Sequence, residues 1–579
     1  MSLIITDAHV VTGDAGDRRH DRADIVIEGD RIRAIGPGAG RAAAAAPGAN
    51  LIDGRGLIAM PGLIDAHIHS EEGFQQAVYG NVPLEPWLMQ AYSPFGFPLL
   101  SEREQYLRTM LAAILAIRGG ATTVQDDFVH PPGTLEAQHG AIRAYADIGI
   151  RAWSAVDMWD KSFRGSLPWV GKMFEPREQA ALDALPMTTT KAQIDLFEHH
   201  YKNWNGHDGR IRVIIAPCGP QRCTPDLLRE VDRISKERGI PLHSHCLETK
   251  LQAIQAREEY GMTFVEYFAE LGLLTDRLTL VHAIWVNERD IAMMAEAGTA
   301  MVHNPLSNLK TGAGVAPIRK QLDAGIAIGL GTDGVCTADG VDMVECIHAG
   351  AIMHTLGSTD YDEWVSAAEV FRMATLGGAR TGLMEREVGS LEVGKRADLI
   401  LLDRDHWGFI PLSDPVKHVA YSVTSEAVRH SIVNGRIVMR DRKLTLIDED
   451  AIKGEIREAA ERFLRDHVSA MREGSKPYLD GMRRMHRKAH AARLSLGHLP
   501  RFAEAATQVT TVSWAAPTVA LAEAVPAARP GRPARKPVQK RRGPARAKRP
   551  AAKAKRSTRN AKRSTRNAKR STRKAKRRR

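Results

Sequence analysis

Two textures of apolar and polar positions divide this chain. Residues 2–13, 23–36 and 51–60 are short runs rich in Ile, Val and Leu, punctuated by Gly and Asp, with no helical period. Such runs predict strands and turns. The alanine-rich interruption at residues 41–48 predicts a flexible loop. From Pro61 the apolar runs alternate with longer amphipathic segments. Eight runs stand at 62–69, 120–127, 151–158, 211–219, 241–248, 278–286, 299–305 and 326–334, with helical patterns between them, as at 101–120 and 224–239. Near-continuous apolar strands separated by helices indicate a parallel sheet. Eight such units over residues 61–388 predict an α/β fold of the (β/α)8 barrel type, whose usual size is ~250 residues or more.

The β texture returns at 388–403 and 428–444, where Asn434-Gly435 between apolar runs signals a hairpin turn. Residues 1–60 and 389–446 flank the barrel in sequence and are expected to pair into one small β-sandwich. Residues 447–500 read as a charged helical appendage. Residues 501–579 are rich in Ala, Pro, Lys and Arg, and end in repeats of the heptad KRSTRNA. Such a segment cannot build a core and is expected to be disordered.

Charge changes the picture only locally. The 579 residues carry a formal +13, yet residues 526–579 alone hold 25 Lys plus Arg and no acid, which leaves −12 for residues 1–525. Any non-specific partner of polyanion type, nucleic acid included, therefore belongs to the tail. Five cysteines, an odd count without scaffold spacing, fit free thiols in a reducing compartment. No basic-then-apolar leader opens the chain, and no window reaches the ~18 apolar residues of a membrane span. The expectation is a cytoplasmic protein with no membrane contact; the oligomeric state stays open.

Barrel chemistry is assembled at the C-terminal ends of strands. Those positions hold His67 and His69 on the first strand, His245 and Glu248 on the fifth, His282 on the sixth and Asp333 on the eighth. His67 and His69, two apart on a strand, face the same side. Three histidines and an aspartate form a divalent-metal set that leaves a position for water.

These residues stand in motifs: PGLIDAHIHS, HSHCLET, VHA, HNPLSNLK, GTDG and GSLEVGKRADLILLD. Together they resemble the amidohydrolase superfamily, in its cytosine deaminase-like and chlorohydrolase-like branch, over residues 2–446. The resemblance implies that His67, His69, His245 and Asp333 bind one metal, zinc or else iron, with Glu248 and His282 as the proton-handling pair and Asp333 orienting or deprotonating water. His243 is the weaker ligand candidate beside His245. The fourth strand has no lysine to bridge a second metal. Trp87, Gln221, Arg222 and Asn304 are candidate contacts for a small heterocyclic substrate. S-adenosylhomocysteine and methylthioadenosine deaminases resemble the chain most in layout, but the positions of their ribose and base contacts fall near Phe95, Val156 and Cys218 here. The expected activity is hydrolysis of a non-peptide C–N bond, foremost deamination of an aminated N-heterocycle. The alternatives are release of chloride or an N-alkylamine from a triazine-like ring, or, from another class, nucleic-acid binding through the tail.

Overall fold

The computed structural model describes residues 2–44, 49–129 and 134–494. All of them belong to one unit, Met1–Val512. The segment expected to be disordered, 501–579, lies outside the described residues. No described helix is long and apolar enough to cross a membrane.

The N-terminal runs form β1 (Ser2–Val11), β2 (Arg19–Glu28), β3 (Arg31–Gly36), β4 (Asn50–Asp53) and β5 (Leu57–Pro61). The residues expected to be a loop differ in part: Arg41–Ala44 make one helical turn, as an Ala run favours. Residues 45–48 lie outside the described residues. The later β segments form β15 (Leu399–Asp403), β16 (Val428–Val433), β17 (Arg436–Arg440) and β18 (Lys443–Leu444), numbered after the barrel strands introduced next. Asn434 and Gly435 turn β16 into β17 with φ of 52° and 74°, the left-handed geometry that Asn-Gly tolerates. The two flanks join through an antiparallel β5–β15 ladder into one sheet, ordered β18-β17-β16-β15-β5-β1-β2-β3 with β4 beside β1. Its strands share a core that includes Ile5, Val10, Ile25, Ile32, Leu399 and Leu401.

The barrel strands are β6 (Leu63–His69), β7 (Ala121–Phe128), β8 (Arg151–Met158), β9 (Ile211–Pro217), β10 (Leu242–Cys246), β11 (Leu278–His282) and β12 (Ala300–His303). The eighth strand is split: β13 (Ile328–Leu330) pairs with β12, and β14 (Asp333–Gly334) pairs with β6, which closes the parallel ring. Gly331 lies in the break, where a Cβ would sit 2.5 Å from Asn304 Oδ1 and 3.0 Å from the His67 backbone. Asp65 staples the same junction, accepting from the Thr332 backbone (2.9 Å) and Thr332 Oγ1 (2.6 Å). Trp153, Ala155, Ile214 and Ala216 pack one part of the core, with Ile64 and Val388.

The intervening helices begin where their caps allow. Ser101 and Glu104 form a capping box ahead of Glu102–Arg118, and Thr224 caps Pro225–Arg238, which ends at left-handed Gly239. Arg151 at the start of β8 makes two hydrogen bonds to Asp398 beside β15 (2.6 and 3.0 Å) and a third to Asn434 (3.1 Å). Both members of that ion pair are buried and tie the barrel to the flanking sheet. Beyond residue 447 the chain is helical at Glu449–Phe463, Ser469–Ser475 and Leu479–Ala491.

Candidate metal centre and proton-transfer groups

The strand ends bring the expected donors together. His67 Nε2 and His69 Nε2 lie 3.3 and 3.4 Å from Asp333 Oδ1, and His245 Nε2 lies 3.3 Å from His69 Nε2. Among the described residues, His67, His69 and His245 form one cluster of ligand atoms, and His67, His282 and Asp333 form another that shares His67.

The opposite ring nitrogens explain why these atoms converge. His69 Nδ1 donates to the Asp127 carbonyl (2.7 Å) and His245 Nδ1 to the Cys218 carbonyl (2.8 Å). Each bond puts the proton on Nδ1 and leaves the Nε2 lone pair facing its neighbours. His67 Nδ1 meets His243 Nε2 at 2.9 Å, and His243 Nδ1 in turn meets the Gln125 side-chain amide. His67 Nε2 is buried and has no hydrogen-bond partner. Lone pairs aimed at one point, one of them orphaned, fit a cation of the zinc type.

Electrostatics agree. Burial pushes His67 down to about 4, against the pull of Asp333. Burial also lowers His245 well below its ordinary range, and the neighbouring histidines add to this. Burial opposes the charged form of His69 too, but Glu71, Asp333 and Glu72 outweigh it and raise that ring to about 10. Burial works against ionised Asp333, yet His67, 3.3 Å away, and the charges of His282 and His69 hold it well below the usual carboxylate range. The surroundings thus favour one positive charge among the rings, as a proton or as a metal ion.

Glu248 and His282 stand beside this set. His282 Nε2 is 3.8 Å from Glu248 Oε2 and 3.8 Å from Asp333 Oδ2. His282 Nδ1 donates to Asn308 Oδ1 at 2.9 Å, so its Nε2 faces the two carboxylates. Burial raises the Glu248 carboxyl to about 7, with His282 pulling the other way. His282 (φ 73°) and Asp333 (φ 68°) both hold left-handed backbone conformations, strained for residues with a Cβ.

The expected substrate contacts are placed less alike. Asn304 is buried, with Nδ2 3.3 Å from His282 Nδ1 and Oδ1 unpartnered. Gln221 is buried with Oε1 unpartnered. Arg222 is half-buried rather than a solvated loop charge: its Nη1 lies 3.5 Å from Cys218 Sγ, and it acts electrostatically on Asp157. Trp87 sits in the helix Leu84–Ala91, packed with Tyr79, Ala91 and Cys336, its Nε1 without a partner.

Two participants escaped the sequence reading, and a third, His243, was read there only as the weaker ligand candidate. His243 holds a ligand ring. Asn308, in the same HNPLSNLK motif as Asn304, is the residue that orients His282. Glu85 bonds Thr249 Oγ1 (2.5 Å) and raises the neighbouring Glu248 electrostatically; it stands two residues before Trp87.

Comparison with known proteins bears on the family and the fold. The amidohydrolase family model matches residues 58–438. A 5-methylthioadenosine/S-adenosylhomocysteine deaminase of Caldanaerobacter subterraneus subsp. tengcongensis is 31% identical over 473 residues, 81% of this chain and 100% of that protein. A 5'-deoxyadenosine deaminase of Methanosarcina mazei is 29% identical over 468 residues, 80% of this chain and 98% of its own. Among solved structures, an atrazine chlorohydrolase of Arthrobacter aurescens complexed with zinc is similar at a TM-score of 0.70 and 27% identity, covering 79% of this chain and 100% of that one. A Xanthomonas campestris adenosine deaminase with bound zinc scores 0.71 at 25% identity, covering 80% and 98%. With the family model spanning well over half of its residues, this chain belongs to the amidohydrolase family.

Proposed function

We propose that the protein is a mononuclear zinc enzyme that hydrolyses an exocyclic amine from an N-heterocycle. The observation that carries this reading is the Glu248–His282–Asp333 group beside the histidine donors. His67, His69, His245 and Asp333 would hold the ion. Bound there, a divalent ion acidifies water towards a pKa of about 7 and so supplies a nucleophile at neutral pH.

The chain's own groups supply the rest. Asp333 accepts the proton that the attacking water loses. His282, its tautomer set by Asn308, presents Nε2 to the oxygen added at the ring carbon. Glu248, with a carboxyl poised near 7, protonates the ring nitrogen, takes a proton back from the hydroxyl of the tetrahedral adduct as the carbonyl forms, and passes it to the departing amine, which leaves as ammonia; the proton on Asp333 then restores Glu248. A general acid–base group works best when its pKa lies near the operating pH.

Three residues favour a free heterocycle such as a base, a pterin or a triazine over a nucleoside. Phe95 stacks on Tyr478 at 4.7 Å, while Val156 and Cys218 are buried, so these positions offer no charged group to a ribose. Five unpaired, buried cysteines support a cytoplasmic setting. The basic tail supports polyanion contact apart from the chemistry.

The test is ammonia release by the zinc-loaded protein across free bases, pterins, triazines and methylthioadenosine, with Glu248→Gln in parallel. We expect turnover of a free heterocycle and a ~10²–10⁴-fold loss of kcat in the variant, with zinc retained. Chloride release from a chlorotriazine without any ammonia release would move the protein to the chlorohydrolases. A loss of less than about tenfold would remove Glu248 from the mechanism.

A further inference from the structure

The last described helix, Leu479–Ala491, lies outside the part of the chain that matches the family model. It carries two stripes. Met482, Met485 and Ala489 are buried in a cluster with Met89, Leu251 and Ile254, residues of the helices Leu84–Ala91 and Lys250–Gln255. Those helices follow directly from active-site segments: one holds Glu85 and Trp87, and the other starts two residues after Glu248. Lys250 Nζ donates to the His490 carbonyl at 3.0 Å, and Arg484 donates to the Met173 carbonyl. The helix therefore rests on the rim of the catalytic face.

The second stripe is basic. Arg483, His486, Arg487 and His490 recur at the i, i+3, i+4, i+7 spacing of one helix face. Arg483, His486 and Arg487 line a cavity of about 350 Å³ whose opposite wall includes Asn81, Pro86 and Gln90. A smaller cavity of about 50 Å³ shares Pro83 and His486 with it and reaches Glu85, Thr249, Lys250 and His490. Thr249 adjoins Glu248, so the basic wall leads towards the proton-transfer groups. Two carboxylates stand nearby, and both are engaged: Asp480 pairs with Arg483 (2.7 Å) and Glu85 bonds Thr249. Arg487 has no ion-pair partner among the described residues. This concentration of positive charge stands on a body that carries −12 over residues 1–525.

We propose that the cavity between the helix Leu479–Ala491 and the segment 81–90 is a binding site for an anionic group, phosphate or carboxylate, held by Arg483 and Arg487. Arginine pairs with such oxyanions by forked hydrogen bonds, and a cleft lined by one sign of charge concentrates counter-ions. The anion has two sources: an acidic arm of the substrate that reaches from the cavity towards Glu248, or a free anion.

The test is calorimetric titration of the zinc-loaded, full-length protein with inorganic phosphate, for wild type, Arg483→Gln/Arg487→Gln and Lys488→Gln. Lys488 is on the same helix but packs over Trp169 (3.5 Å), away from the cavity. We expect saturable binding in wild type and Lys488→Gln, and at least tenfold weaker binding in the double variant, at unchanged zinc content and unchanged melting temperature. A double variant that melts early is replaced by Arg483→Lys/Arg487→Lys, which keeps charge but loses the fork and is expected to bind several-fold more weakly than wild type. Equal affinity in wild type and the arginine variants, or no binding in wild type at millimolar phosphate, overturns the proposal.

Kinetics then separate the sources, and this arm rests on the deaminase reading. Phosphate that raises KM at constant kcat marks a substrate arm, and phosphate that changes kcat marks a free anion. Failed titration with intact ammonia release sinks the anion site alone; the reverse pattern sinks the deaminase reading alone.

Discussion

Replacing His243 with alanine tests whether a residue that binds no metal nonetheless controls the centre. The ring is fully buried, and its Nε2 meets His67 Nδ1 at 2.9 Å. Its removal leaves His67 free to rotate and its Nδ1 unpaired in a dry interior, an omission that costs ~1–3 kcal/mol of folding stability. Loss of a ligand's outer partner typically lowers metal affinity by ~10–100-fold, about 1.4–2.7 kcal/mol. His243→Gln keeps a polar group near the same place and should recover part of that loss. The assay is zinc retention against a graded series of chelator concentrations, with melting curves of the metal-free proteins run beside it. The expected order of zinc affinity is wild type, then His243→Gln, then His243→Ala. Zinc affinity in His243→Ala within threefold of wild type would refute the reasoning. So would a rise in metal-free stability, which would mean that the imidazole burdens the fold and does not support it.

Arg151→Ala strands Asp398 as a buried, unpaired charge and should cost ~3–5 kcal/mol in urea unfolding; less than about 1 kcal/mol would show that the pair is dispensable. Asp290 is raised by burial to about 6 from the ordinary aspartate value of 3.8, so between those values the folded state holds a proton that the unfolded chain has released. Its contribution to stability is present below pH ~4 and is lost as pH rises through about 6, by at most about 3 kcal/mol. Urea midpoints from pH 4 to 7 should therefore fall less steeply in Asp290→Asn, and parallel curves would discard the assignment. Truncation after Val525 should leave kcat/KM unchanged while abolishing salt-sensitive retardation of duplex DNA; equal DNA binding by the full-length and truncated proteins would end the polyanion reading of the tail.

The candidate ligand residues were legible because their signal is local. His67 and His69 share one strand face, His245 and Glu248 sit three apart at another strand end, and Asp333 precedes a glycine. The alternation of textures exposed the barrel, and Asn434-Gly435 exposed its own turn. What could not be read depends on contacts between distant segments. His243 and His245 both point inward, and only the meeting of side chains from β10 and β6, strands that are not neighbours in the sheet, decides which one turns Nε2 to the centre and which backs His67. Nothing along residues 326–334 says that the eighth strand will break at Gly331. The segment that holds the helix Leu479–Ala491 reads as helical and charged, but its perch on the catalytic rim follows from Met482 and Met485 meeting Met89 and Leu251.

The split eighth strand ties the chemistry to the order in which the molecule is made. Asp333 stands on the side of the break that pairs with β6, so the donor set straddles the seam at which the barrel closes. During synthesis β6 emerges long before β14, and until that seam shuts the three histidines lack their carboxylate. An ion held across it would act as a rivet in the wall of the barrel, because ligands that bind only the native state stabilise it by mass action. A chelator would then remove more than a reagent. It would loosen Thr332 to Gly334 from β6 first, with Asp65 left as the remaining stitch, so the loss of metal and the opening of the barrel begin at the same few residues.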